Sequence, residues 1–67
     1  MIIENPDFVV NDQGSIVLLL PNSDAAREWL ADNIADDAMY FGRSLVIEHR
    51  YADDVLAGIV ADGLEIA

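Results

Sequence analysis

The sequence predicts an α+β fold: a small, mostly antiparallel sheet with two helices on one face, in the order ββαββαβ. Three observations predict it. Short apolar runs are bounded by Pro, Gly, Asn and Asp, as strands are. Two longer segments carry apolar residues at three-and-four spacing, as helices do. Most connections are of hairpin length, which favours antiparallel neighbours and segregates the helices to one side.

Asp7-Phe8-Val9-Val10 reads as a short strand, and Asn11 to Gly14 as the turn into a second strand, Ser15 to Leu20. That second strand is apolar on both faces, which suits a central strand covered on both sides. Pro21 ends it. Asn22 or Ser23 then caps a helix over residues 24–34, whose stripe is Ala26, Trp29, Leu30 and Ile34. Asp36-Asp37 breaks the pattern. Ala38 to Phe41 forms a third strand and turns at Gly42-Arg43 into a fourth, Ser44 to His49, in which Leu45, Ile47 and His49 share one face. A second helix follows over residues 51–62 with Ala52, Val55, Leu56, Ile59 and Val60 inward, and Gly63 is its left-handed C-terminal cap. Leu64-Glu65-Ile66 closes the sheet.

Residues 1–67 form a single acidic domain, since a chain of this size buries only about 60% of its unfolded surface. Apolar residues make up 54% of the chain, too many for a disordered acidic tail, so it folds. It has no cysteine, and therefore neither a disulfide nor a thiolate metal site to add stability. Small domains without such staples often gain stability from a second copy or a partner, and a homodimer is one expectation. The N-terminus lacks a basic region followed by an apolar run, and the longest apolar stretch, Ile16 to Leu20, is far short of a membrane span. A cytoplasmic setting is expected.

Charge is the dominant feature. Nine aspartates and four glutamates face only Arg27, Arg43 and Arg50, with no lysine, for a formal net charge of −10. Solubility of a small domain asks for a magnitude of only about 2–8. The excess points to a basic partner and disfavours anionic membranes and direct contact with nucleic acid. Catalysis has few tools: His49 is the single histidine, and no glycine loop of phosphate-binding spacing is present. Neither an enzyme nor a cofactor is expected. Asp36-Asp37 and Asp53-Asp54 offer hard oxygen ligands, but neither pair sits in a calcium-loop pattern.

The candidate partner-binding residues lie mainly on the first helix. Asp24, Glu28 and Asp32 recur every four residues, and Asp36 continues the series with Asp37 beside it. Like charges at that spacing destabilise a helix by about 0.2–0.5 kcal/mol per pair. Each step rises about 6 Å along the axis, comparable with the phosphate repeat of a nucleic-acid strand. Asp24 suits the positive end of the helix dipole, whereas Glu28 and Asp32 have no such reason to be there. Asp53 and Asp54 join the set and also fit the first turn of the second helix. A rigid carboxylate array of this kind competes for the lysines and arginines that otherwise neutralise phosphates.

The segments Gly14 to Leu19, Ala25 to Trp29, Phe41-Gly42, Leu45 to Tyr51 and Ala61-Asp62-Gly63 resemble a family of very short acidic proteins of proteobacterial phages and integrative elements, some of them anti-CRISPR proteins, including inhibitors of type I-C systems. The resemblance implies an inhibitor of a host CRISPR effector complex. It supplies no active-site motif, and His49-Arg50-Tyr51 reads as structural: Arg50 pairs with a nearby acid and Tyr51 packs where the strand enters the helix. Two other functions fit the same residues. One is an assembly adaptor of a phage or mobile element acting through an apolar patch, and the other an antitoxin-like neutraliser of a basic protein.

Overall fold

The computed structural model describes residues 5–67. Its elements are β1 (Phe8–Asp12), β2 (Ile16–Pro21), α1 (Asp24–Asn33), β3 (Tyr40–Phe41), β4 (Ser44–Glu48) and α2 (His49–Ala61). The four strands form an antiparallel sheet in the order β1-β2-β4-β3. The expected α+β class is the observed one. The C-terminal segment joins the free edge of β1 in parallel: Phe8 and Val10 donate N–H bonds to the carbonyls of Glu65 and Ala67, and Ala67 donates to Phe8. The last sheet element is thus the parallel exception.

Alternation along the strands decides which side is covered. Phe8, Val17, Leu19, Leu45 and Ile47 point to one face and are buried there with Ala26 and Leu30 of α1 and Ala52 and Ile59 of α2. Both helices therefore lie on that face. The opposite face carries Val9, Ile16, Leu18, Leu20 and Val46, and among the described residues no helix covers it. The expectation that β2 is covered on both sides holds for one side only.

Ser23 caps α1 in the expected way, its Oγ accepting the Ala26 N–H at 3.1 Å. The helix ends at Asn33, and Ile34 closes it by donating to the Leu30 carbonyl. Trp29 bridges the layers, its ring edge-on to Phe8 with centroids 6.1 Å apart. At the end of α2, Leu64 N–H reaches the Ile59 carbonyl and Gly63 N–H the Val60 carbonyl, the paired bonds of a Schellman motif. Gly63 takes φ 86° there, a left-handed conformation that any side chain resists.

Three expectations need correction. Helix α2 starts at His49 rather than residue 51, so His49 leaves the strand face shared by Leu45 and Ile47. Val60, expected inward, is 61% exposed, because it lies about a quarter-turn around α2 from Ala52 and Ile59, on the flank of the buried stripe. The third strand is only Tyr40–Phe41, extended by one bond from Val46 N–H to the Met39 carbonyl. Among the described residues, no helix is long and apolar enough to cross a membrane.

Gly58 lies mid-helix in α2 without a positive φ, and a methyl group there would meet Trp29 at 3.5 Å, ordinary van der Waals distance. Gly58→Ala is therefore expected to stabilise the fold by about 0.5–1 kcal/mol, through lower backbone entropy in the unfolded chain. Urea unfolding of the two proteins measures this, and a destabilised variant would show that the α1–α2 contact is tighter than this distance implies.

Candidate acidic interface

Helix α1 delivers its charges to solvent because Ala26 and Leu30 fix its buried side. Asp24, Glu28 and Asp32 are all exposed, on the flank that the apolar stripe leaves free. Asp36 and Asp37 are exposed in the turn between α1 and β3. Arg27 pairs with Asp24, so the start of the row is partly neutralised. Glu28, Asp32, Asp36 and Asp37 form no ion pair among the described residues.

The structure brings only part of the candidate set together. Glu28 and Asp32 line a shallow groove of about 390 Å³ between α1 and the C-terminal end of α2, with Asp7 and Asp62 on its other sides and Trp29 in its wall. Asp24, Asp36 and Asp37 lie outside this groove, as do Asp53 and Asp54. Those last two need a correction as well. With α2 beginning at His49, they follow its first turn, which contains no acid. Their assignment to the positive end of the helix dipole fails, since that effect fades within one turn. They remain exposed charges on α2.

Asp7 and Asp62 were missed in the sequence because neither belongs to a periodic row. Each is held by geometry. Trp29 Nε1 donates to Asp62 Oδ2 at 2.6 Å, which ties the end of α2 to the middle of α1. Asp7 Oδ1 accepts the Ser23 hydroxyl at 2.7 Å, and Oδ2 accepts the Glu65 N–H at 2.9 Å. Its carbonyl also accepts the Asn22 N–H at 2.7 Å. One residue thus joins β1, the entry to α1 and the C-terminal segment. The only sequence signal for Asp62 was its place just before the capping Gly63.

The rest of the ionic chemistry is local. Arg50 Nε lies 3.0 Å from Glu48, the pairing with an acid that was expected, while Tyr51 is 50% exposed and meets the Arg50 guanidinium 4.7 Å above its ring instead of packing into the strand–helix junction. His49 faces Asp12 at 3.7 Å, with both side chains largely exposed. On the other flank of α1, Arg27 and Arg43 border a cleft of about 590 Å³ with Tyr40 and Leu30. Two of the three arginines thus sit away from the acidic groove. Among the described residues, no group of three or more histidines and carboxylates is placed to hold a metal ion. What the arrangement offers chemically is charge: a set of ionised oxygens whose positions are set by helix packing.

The Ser23 hydroxyl, followed by the Glu65 N–H, holds the Asp7 carboxyl below its ordinary value of 3.8 against a smaller opposing effect of desolvation. A lowered folded-state pKa adds stability above the unfolded value and loses it as pH falls through the folded one. Asp7→Asn keeps one acceptor for two donors and should therefore lower Tm at neutral pH. The gap between wild type and variant should stay constant down to about pH 5 and close below about pH 3.8. Melting curves across that range test this, and a pH-independent gap would mean that the clasp does not depend on ionisation.

Comparison of the chain with protein-family models, with curated proteins and with solved structures returns no match.

Proposed function

We propose that this protein is a polyanion mimic: an inhibitor that occupies the basic nucleic-acid-binding surface of a partner, which the sequence resemblance makes a host CRISPR effector complex. The observation that carries this reading is the exposed row Glu28, Asp32, Asp36 and Asp37, unpaired among the described residues, in a chain of net charge −10. Stability does not ask for it, because like charges four apart on a helix are unfavourable. Asp24 at the head of the row, Asp53 and Asp54 on α2, and Asp7 and Asp62 at the groove widen the same negative field.

The mechanism is competition. Ionised carboxylates on a rigid support enter a groove built for phosphates and take up its lysines and arginines, and many weak contacts of about 0–1 kcal/mol each add up to occupancy. Charge alone then directs encounter, so the on-rate falls steeply with salt. The reaction needs no cofactor, and the protein itself repels nucleic acid.

Replacing Glu28, Asp32, Asp36 and Asp37 together with lysine should abolish binding to the purified effector complex while leaving the fold intact. Each single alanine change should do far less. The Asp53→Lys, Asp54→Lys double variant tests whether the field extends to α2, and should weaken binding without a large loss of Tm. Binding at two salt concentrations, with duplex DNA as competitor, reads all three. Full activity of a folded quadruple variant would leave the row as a solvated face and the mimic reading without its residues. Binding of labelled duplex by the protein alone at physiological salt would also contradict it.

A further inference from the structure

The strands carry a second surface, on the far side of the sheet from both helices. Val9 pairs with Leu20 and Leu18 with Val46 across it, and the Val46–Met39 backbone bond and the Phe41–Ser44 pair place Met39 and Phe41 at its β3 edge. Val9, Met39 and Phe41 are 37%, 71% and 65% exposed. No element of the described chain lies over these six side chains.

We infer that this face is a homodimer interface, with two copies stacked sheet to sheet about a two-fold axis. Three arguments select a second copy. The first is area. Three strands of about 17 Å and the two-residue β3 of about 7 Å, spaced about 4.8 Å apart, make a face of roughly 280 Å², and with side-chain relief this is on the order of 400 Å² per copy, the size of a weak, concentration-dependent interface. The second is charge. By strand alternation Glu48 is the one acid that the four strands place on this face, held 3.0 Å from Arg50, and Glu65 of the C-terminal segment falls on the same side only at the outer β1 edge. The other described acids on helices and turns lie away from it, and each copy is at least 23 Å across. Stacking therefore sends the two acidic layers outward, separated by far more than the ~8 Å Debye length. The third is stability. A chain of 67 residues without cysteine and with one covered sheet face gains a second core by pairing that face with itself.

Pairing also doubles the acidic surface by presenting one copy of it on each outer side. The inference stands apart from the mimic reading, because the two respond to salt with opposite sign. Contact with a basic partner weakens as salt rises, whereas dimerisation of two anions through an apolar face strengthens.

Sedimentation equilibrium of the intact protein at about 0.15 M and 1 M NaCl tests it. The expected result is a mass of twice 7.3 kDa, with tighter association at the higher salt. Phe41→Ser with Met39→Ser, both at the exposed edge, should weaken the dimer by about tenfold or more while circular dichroism stays native. Val46→Lys at the centre should give a monomer. If that variant fails to fold, dilution of the wild type followed by methyl NMR replaces it, and shifts should concentrate on Val9, Leu18, Leu20 and Val46. A monomer at millimolar concentration in both salts would overturn the inference, even if the face proved to bind a different protein. So would a dimer whose affinity ignores both variants or whose dilution shifts fall elsewhere.

Discussion

Everything in this fold hangs on one shared apolar layer between a sheet face and two helices. Phe8, Leu19 and Ile59 are fully buried in it, one from an edge strand, one from a central strand and one from α2. No disulfide supplements that layer, and the described residues contain no group suited to a metal. Burial of apolar side chains is the main favourable term in folding, and among the described residues this layer is where nearly all of it is gathered. Each helix can therefore spend only its inner stripe on packing, and its remaining positions are free to take charge. The acidic surface is possible because the core asks so little of the outer faces of α1 and α2.

The same constraint sorts the surface into two kinds. Most carboxylates lie on the helices and turns, where water solvates them, while the far side of the sheet is largely apolar because β2 is apolar on both faces and Val46 of β4 pairs with Leu18 there. A net charge of −10 repels itself, and exposure to solvent on helices and turns weakens that repulsion. The two surfaces are joined through the sheet: β2 presents Leu19 to the helices and Leu18 and Leu20 to the open side. Long-range charge and short-range apolar contact are thus carried by opposite sides of one thin layer.

Asp7 holds an unusual position in this arrangement. Its carboxylate and carbonyl meet three segments far apart in sequence, at Ser23, Asn22 and Glu65. Among the described acids it is the one whose carboxylate accepts hydrogen bonds from two separate segments, while Glu28 and Asp32 beside it in the groove serve no described bond or ion pair. Trp29 and Asp62 repeat the theme across the helix pair. The floor of the acidic groove is structural, and its rim is left to solvent or a partner.

Local chemistry made much of this legible in the amino-acid sequence. Period-two and period-3.6 patterns located the strands and both helices, and a cap at Asn22 or Ser23, the left-handed Gly63 and an acidic partner for Arg50 followed from residue type and neighbours, with the structure selecting Ser23 and Glu48. The negative row on α1 was equally visible, since spacing on one helix fixes which residues share a flank. What stayed hidden depended on contacts between distant segments. The start of α2 moved to His49, which removed Asp53 and Asp54 from its first turn. Asp7 and Asp62 joined Glu28 and Asp32 only because β1, the C-terminal segment and the end of α2 converge beside α1. The run Ile16 to Leu20 announced two apolar faces, but a linear pattern cannot say what packs against each. The two helices lie on one side as the sequence predicted, sharing the core of Ala26, Leu30, Ala52 and Ile59; tertiary structure decided that the other face of β2 is left with no described element over it, because both apolar stripes are used up on that one shared core.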